Sequence, residues 1–97
     1  MSVSVSYNPV SQIYFPIVIT NVYDGMVVDY TAMEYIARYG TTLEELGVSY
    51  SNTIEGGREY EFMYFSYDVY GESVVETTDE MISYGESVNL YAIYQAV

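Results

Sequence analysis

Carboxylates are the side chains of this 97-residue sequence that could do acid–base chemistry, because His and Cys are both absent. The sequence therefore has no imidazole base, no thiol nucleophile, no disulfide and no usual zinc or haem ligand set. Glu76, Asp79 and Glu80 lie close enough in sequence to supply an acid and a base, as in glycoside hydrolysis. A domain this small leaves little room for a cleft, so we interpret the cluster as an exposed acidic loop. We predict that the protein is not an enzyme.

The same acidic cluster could hold Ca²⁺ through oxygen ligands. However, the sequence contains no loop of the form Asp-x-Asp-x-Asp-Gly, in which the spacing of the ligands fits that ion. We therefore predict no metal site and no cofactor.

Charge restricts the partners further. Fourteen Asp and Glu residues against two Arg, with no Lys, give a net charge of -12. Such a surface repels phosphate backbones and anionic lipids, so we expect no direct binding to nucleic acid or to membranes. Carboxylates could instead imitate nucleic acid and occupy the basic groove of another protein, as an anti-restriction or anti-CRISPR inhibitor would. The candidate residues for that mimic surface are Glu44, Glu45, Glu55, Glu59 and Glu61.

Length and composition predict one folded domain over residues 1–97, since 51% of the residues are hydrophobic and only 16% are charged. We divide it into N-terminal strands (1–25), a central part (26–62) and C-terminal strands (63–97). No charged side chain precedes Asp24 and none follows Glu86. Both ends of the chain are therefore apolar or neutral.

Strand patterns occupy these neutral ends. Residues 2–7 alternate Ser with Val or Tyr, as in a half-buried strand. Residues 12–20 and residues 87–95 are strand patterns with apolar side chains on both faces. A strand that is apolar on both faces is either central in a sheet or covered by another chain. We therefore expect the ends to bind protein partners, a second copy or the subunits of a particle. The candidate partner-binding residues are Ile13, Tyr14, Phe15, Ile17, Tyr91 and Tyr94.

Two short helices are predicted in the centre. Thr31-Ala-Met-Glu34 has the form of a capping box and Gly40 suits a helix C-terminus, which predicts a helix over about residues 32–39. A second capping box at 42–45, followed by Gly47, predicts another over 43–46. Glu55-Gly-Gly-Arg58 then predicts a tight turn into a strand over 59–67. The predicted fold is α+β, a small and mainly antiparallel sheet with two adjacent helices.

The central part of the chain resembles the lysin-motif (LysM) domain over about residues 26–62. The resemblance is carried by Ile36-Ala-Arg-Tyr-Gly-Thr-Thr-Leu-Glu-Glu-Leu46 and by Ile54-Glu-Gly-Gly57 before a strand. It implies a strand, helix, helix, strand arrangement and a groove for peptidoglycan or chitin. The groove residues that it implies are Asp29, Tyr30, Thr31, Tyr50 and Asn52. The chain departs from the family pattern in both groove segments, with Asp29-Tyr30-Thr31 before the first helix and a shortened 47–52 segment.

A second, weaker resemblance covers residues 57–94. This stretch ends in Leu-Tyr-Ala-Ile-Tyr and is similar to a β-grasp surface repeat of the Listeria–Bacteroides type.

These observations favour a non-catalytic interaction or assembly module, a structural or tail component of a phage-like particle that acts through protein–protein contacts. The nucleic-acid mimic and the glycan-binding LysM module are the alternatives. The sequence shows no signal peptide and no apolar run of about 20 residues that could cross a membrane. We therefore expect the protein in the host cytoplasm or inside a virion-like particle.

Overall fold

The protein forms a mixed β-sheet that curves into a half-barrel in a computed structural model, which describes residues 13–97. Residues 1–12, including the predicted strand over 2–7, lie outside the described residues. The sheet has six strands: β1 (Tyr14–Tyr23), β2 (Met26–Arg38), β3 (Thr53–Glu55), β4 (Arg58–Ser66), β5 (Val74–Val75) and β6 (Val88–Ala96).

The two central strands of the sheet are parallel. The strand order is β2-β1-β6-β4-β3, with the short β5 paired to β4. β1 pairs with β6 in the parallel sense, and every other pairing is antiparallel. The predicted strands over 12–20, 59–67 and 87–95 are confirmed as β1, β4 and β6, within the described residues. The apolar strand β1 lies inside the sheet, one of the two positions expected for it.

Two tight turns set the register of the outer hairpins. Asp24 and Gly25 join β1 to β2 with φ values of 49° and 84°, as a two-residue hairpin turn of the primed type requires. Gly56 and Gly57 join β3 to β4 with φ values of 60° and 79°. The turn predicted at 55–58 is therefore confirmed.

The first predicted helix, over 32–39, is wrong, because residues 26–38 form β2. In this strand Ala37, Tyr35 and Met33 pair with Phe15, Ile17 and Ile19 of β1. The hydroxyl of Thr31 does not cap a helix; it donates to the carbonyl of Val28 at 2.6 Å. Pairing with an apolar neighbouring strand outweighs a local capping signal, because helix propensity is a weak preference that tertiary context overrides.

The second predicted helix, over 43–46, is also wrong, although its capping box forms. The backbone amide of Glu45 donates to the Thr42 hydroxyl at 3.1 Å, and the amide of Thr42 donates to the Glu45 carboxylate at 3.2 Å. Gly47, at φ 74°, ends the structure after a single turn. A single turn makes too few hydrogen bonds to offset the conformational entropy lost when a helix nucleates. The described residues form strands and turns without a helix, so the α+β prediction is wrong.

The core lies on one face of the sheet, which we call the core face. Its strand residues include Phe15, Ile17, Ile19, Phe65, Leu90 and Ala92, all almost fully buried. Two loops, over 39–52 and 67–87, contribute Leu43, Val48, Val75 and Met81 to the same cluster.

Backbone hydrogen bonds join these two loops to each other. The amide of Gly40 donates to the carbonyl of Met81 and the amide of Met81 to the carbonyl of Thr41, both at 2.8 Å, and the amide of Glu44 donates to the carbonyl of Thr77 at 3.0 Å. The loops thus cover part of the core face as one layer. Within residues 13–97, no helix is long and apolar enough to cross a membrane.

We expect Leu43→Ala to lower the free energy of unfolding by about 2–5 kcal/mol, because it opens a cavity under the loop layer. Leu46→Ala is the matched control, since Leu46 is only partly buried and should cost less. Urea denaturation followed by circular dichroism measures both. Equal losses in the two variants would show that the loop layer does not seal the core.

Candidate functional site

A pocket of about 350 Å³ opens on the part of the core face that the loops leave uncovered. We call it the polar pocket. All of its lining residues are uncharged. They come from β1 and β2 (Asn21, Thr31, Met33 and Tyr35), from the segment 49–53, and from β6 (Tyr94).

A bulge in β2 shapes one wall of the polar pocket. Ile19 pairs with Met33 and Asn21 pairs with Val28, so residues 29–32 lie opposite Thr20 alone. The Thr31 hydroxyl closes this bulge, since it accepts from the backbone amide of Asn21 at 2.9 Å while donating to the carbonyl of Val28. Bulges commonly re-aim side chains beside binding sites. Here the bulge brings Thr31 next to Asn21.

Asn21 lines the polar pocket, but the oxygen of its side-chain amide is enclosed by the protein. Its Nδ2 donates to the hydroxyl oxygen of Tyr23 at 2.9 Å. Its Oδ1 is buried and accepts no hydrogen bond from the described residues. A buried acceptor without a hydrogen bond lowers the stability of the fold.

Tyr50 provides a second such atom. Its ring packs against Phe62 and Phe65 with centroid distances of 5.9 and 5.2 Å. Its hydroxyl is buried and makes no hydrogen bond of good geometry within the described part of the chain, with the Tyr35 hydroxyl as its polar neighbour. Burial raises the pKa of Tyr50 well above its usual range, and that neighbour is a smaller cause. The Tyr50 hydroxyl therefore stays neutral.

Two side-chain hydrogen bonds hold the segment 49–53 against the sheet. Tyr94 donates its hydroxyl to the carbonyl of Ser51 at 3.2 Å, and Asn52 Oδ1 accepts from the backbone amide of Phe62 at 3.0 Å. Burial raises the pKa of Tyr94 to about 12, with Tyr23 as a second cause. The pocket wall is therefore fixed before any ligand arrives.

A second depression lies beside the polar pocket. We call it the apolar groove; it encloses about 590 Å³. The Tyr23 ring separates the two, since it packs against Tyr60 of the groove at 4.7 Å and against Tyr94 of the pocket at 5.0 Å. The groove is lined by Tyr23, Met26, Val27, Val28, Asp29, Tyr30, Glu55 and Tyr60.

The residues of the glycan groove that the LysM resemblance implies lie around two different depressions in the structure. Thr31, Tyr50 and Asn52 lie around the polar pocket, whereas Asp29 and Tyr30 line the apolar groove. The two helices on which the LysM arrangement depends are absent from the described residues. The residues that meet in the polar pocket do so through a strand bulge and a loop.

The candidate partner-binding residues separate into two groups. Phe15, Ile17 and Tyr94 are buried in the core, so their side chains are not available to a partner. Tyr14 is 58% exposed, and Ile13 and Tyr91 are partly exposed.

The carboxylates of the candidate mimic surface lie in two separate places. Glu44 and Glu45 belong to the loop after β2, and the Glu45 carboxylate accepts from Thr42. Glu55 lies on β3, and Glu59 and Glu61 lie on β4. These last three share the β3–β4 hairpin with Arg58, which pairs in register with Glu55.

Two further carboxylates, Asp79 and Asp68, stabilise turns, whereas the Asp24 carboxylate accepts from the backbone amide of Ala96 in β6 at 3.0 Å. Asp79 accepts from the backbone amide of Glu76 at 2.9 Å. Asp68 accepts from the Ser66 hydroxyl at 2.6 Å and from the amides of Ser73 and Glu72, and these hydrogen bonds lower the pKa of Asp68. Among residues 13–97, no group of three potential ligands could hold a metal ion.

Sequence reasoning missed Asn21 and Tyr35. Asn21 carried a usable signal, because it is the polar amide in the otherwise apolar run from 13 to 23 and a strand centre disfavours Asn. No sequence signal indicates Tyr35, because it lies within the helix predicted over 32–39.

No protein-family model matches this chain, and no curated protein is significantly similar to it. The function is therefore inferred from the chain's own residues.

We expect Tyr50→Phe to leave the free energy of unfolding unchanged or to raise it by up to about 1 kcal/mol, since it removes a buried hydroxyl that has no partner. Tyr94→Phe is the matched control. It should lower the free energy of unfolding by about 1 kcal/mol, because it breaks the hydrogen bond to Ser51. Urea denaturation without added ligand measures both. A larger loss in Tyr50→Phe than in Tyr94→Phe would mean that the Tyr50 hydroxyl has a partner.

High pH should destabilise the fold. In the unfolded chain Tyr94 and Tyr50 ionise near their ordinary pKa of about 10, whereas burial holds both pKa values higher in the folded protein. The unfolded state then binds fewer protons, so stability is full below about pH 10 and falls as the pH rises towards 12. The double variant Tyr50→Phe, Tyr94→Phe should show a shallower fall of the urea midpoint between about pH 9 and about pH 11. An identical slope in the unmodified protein and the double variant would contradict this.

Proposed function

We propose that the protein is a non-catalytic module that works by protein–protein contact, with the outer edge of β2 as its contact surface. The observation that carries the proposal is the position of β2 at the end of the sheet. One row of its backbone amides and carbonyls therefore has no neighbouring strand among the described residues. Such an edge is a template for a strand from another chain.

Most natural edge strands carry features that prevent such pairing. Lys, Pro, bulges and short length are the usual ones. β2 is the longest strand, at 13 residues, and it contains neither Lys nor Pro, although exposed Glu34 and Arg38 place one charge of each sign on either side of Ile36. Its bulge at 29–32 interrupts the edge, which leaves residues 33–38 as a regular segment opposite Tyr14–Ile19. This six-residue segment is long enough to receive a strand.

Side chains on this segment suit a protein partner. Ile36 is 59% exposed and pairs with Pro16 on the face opposite the core. Met33 is 52% exposed and points to the core face. In strand addition the main chain supplies the hydrogen bonds, and alternate side chains supply the fit.

The role we propose is that of a subunit or docking component of a phage-like particle. Strand addition between neighbouring chains suits assembly, because the same edge accepts a strand from any copy that carries the complementary segment.

We expect Ile36→Lys to weaken partner binding by at least about tenfold, because a Lys side chain on the edge strand β2 disfavours pairing with a strand from another chain. Tyr70→Lys is the matched control: it makes the same charge change at a residue that is 82% exposed in a distant loop, and it should bind normally. Pull-down of tagged full-length protein from native lysate, at low and high salt, measures retention of each partner. Size-exclusion chromatography with light scattering measures self-association.

Two results would contradict the proposal. Equal retention by Ile36→Lys and Tyr70→Lys would exclude the β2 edge as the contact surface. Partner binding that high salt abolishes would point instead to the carboxylates and to nucleic-acid mimicry, since screening weakens charge contacts and leaves apolar contacts nearly unchanged.

A further inference from the structure

We propose that the apolar groove binds an arginine side chain presented by a peptide segment of a partner protein. This inference goes beyond the proposed contact at residues 33–38 of β2, because it concerns another surface and names the chemistry of the residue that this surface receives. It rests on two carboxylates, on tyrosine rings, on apolar side chains beside them and on the two arginines of the chain itself.

Two carboxylates line the apolar groove. Asp29 belongs to β2 and Glu55 to β3, which lie at opposite ends of the strand order. The curvature of the half-barrel brings both residues to one depression. Asp29 is exposed and Glu55 is half-buried, so neither residue is enclosed by the protein. Two carboxylates in a protein of net charge -12 attract a cation and repel an anion.

Tyrosine rings supply walls on which a flat cation can stack. Tyr30 is 76% exposed and Tyr60 is half-buried, and both line the groove. The buried Tyr23 ring packs against Tyr60 at a centroid distance of 4.7 Å and so helps to hold it in place. The face of a tyrosine ring attracts a cation electrostatically. A guanidinium group suits this combination best, because it is planar, weakly hydrated and able to bind a carboxylate through two N–H groups.

Both arginines of this chain lie over tyrosine rings. Arg58 Cζ lies 6.0 Å from the centroid of the Tyr60 ring, and Arg38 Cζ lies 5.7 Å from the centroid of the Tyr14 ring. A wall of the groove therefore already accepts a guanidinium group. Arg58 also pairs in register with Glu55. It offsets one of the two negative charges, and the charge of Asp29 is left for a partner.

Apolar side chains beside the carboxylates favour a peptide over a free small cation. Met26, Val27 and Val28 line the groove, and the first two are exposed. A volume of about 590 Å³ is within the usual range for ligand sites and exceeds what a guanidinium group alone fills. Apolar residues next to an arginine in a peptide would cover these side chains. A free guanidinium ion would leave them in water, so it would gain less from the hydrophobic effect.

Heteronuclear NMR of the ¹⁵N-labelled full-length protein tests the proposal with blocked tripeptides. The probe is Val-Arg-Val, raised to about 10 mM. The matched probe is Val-citrulline-Val, whose central side chain has nearly the same shape and no charge. Free arginine and guanidinium chloride represent a small cation. We expect saturable shifts of the backbone amides of residues 26–30 and 53–60 with Val-Arg-Val. Binding of the citrulline peptide and of both free cations should be weaker by about fivefold or more.

Paired variants assign the binding to the groove. Asp29→Asn and Tyr30→Ala should each weaken binding of Val-Arg-Val about threefold or more, because they remove a charge and a ring that the guanidinium contacts. Glu86→Gln and Tyr70→Ala are the matched controls. They remove a like charge and a like ring at exposed residues of the loop over 67–87, outside the groove, and should bind normally.

The two arginines provide a test of opposite sign. Arg58→Gln removes the cation that lies over Tyr60, so it should tighten binding of Val-Arg-Val about twofold or more. Arg38→Gln makes the same change in net charge at the far end of β2, so it should alter the affinity less. Weaker binding in Arg58→Gln than in Arg38→Gln would contradict the assignment of the arginine to this groove.

Four further results would overturn the proposal. The first is equal affinity for the arginine and citrulline peptides, which would leave an apolar contact alone. The second is binding of free arginine or guanidinium as tightly as Val-Arg-Val, which would indicate a small-cation site. The third is equal shifts in the loop over 67–87, which would indicate attraction by net charge only. The fourth is unchanged affinity in both Asp29→Asn and Tyr30→Ala. None of these results depends on the Ile36→Lys experiment, so the two proposals fail separately.

Discussion

Parallel pairing of β1 with β6 is the constraint on which the rest of this fold depends. A hairpin cannot join parallel strands, so the chain between them has to cross the sheet. Such crossings are usually helical. Here the loop over 39–52 makes the crossing, from β2 at one end of the sheet to β3 at the other, and it is hydrogen-bonded to the loop over 67–87, which joins the adjacent antiparallel strands β4 and β6. The β1–β2 and β3–β4 hairpins take the flanks of the sheet. Because two loops cover less of the sheet than a long helix would, part of the core face stays open, and the polar pocket and the apolar groove lie there.

Aromatic packing joins this open region to the core. Ring contacts run from Tyr60 through Tyr23 and Tyr94 to Phe62, and from Phe62 to Tyr50. Tyrosine suits this position because its ring adds buried area while its hydroxyl remains a polar handle. The hydroxyls of Tyr23 and Tyr94 make hydrogen bonds, whereas the enclosed Tyr50 hydroxyl makes none of good geometry within the described residues and so costs stability.

The β2 edge and the polar pocket differ in physical character. The β2 edge offers main-chain groups and two exposed apolar side chains, so it suits a strand from another protein. The polar pocket offers an uncharged lining of hydroxyl, amide and tyrosine side chains. Met33 lies on the β2 edge and also lines the pocket, which brings the two surfaces next to each other. The polar pocket has no charged side chain, whereas the β2 edge carries Glu34 and Arg38; the strong negative charge of the protein as a whole is better explained by solubility.

The sequence by itself determined the elements whose signals are local. Short runs of apolar and aromatic residues predicted β1, β4 and β6, and Gly56-Gly57 predicted the β3–β4 turn, because strand-forming composition and positive φ are properties of a few adjacent residues. The second capping box, between Thr42 and Glu45, also forms as its residue types predict. The tertiary structure decided that residues 32–38 are strand, since the same Met33, Ile36 and Ala37 that fit a helical stripe also fit a strand once β1 lies beside them. It also decided the site: Asn21, Thr31, Tyr50 and Tyr94 are far apart in the sequence, and only the β2 bulge and the parallel central pair bring them together.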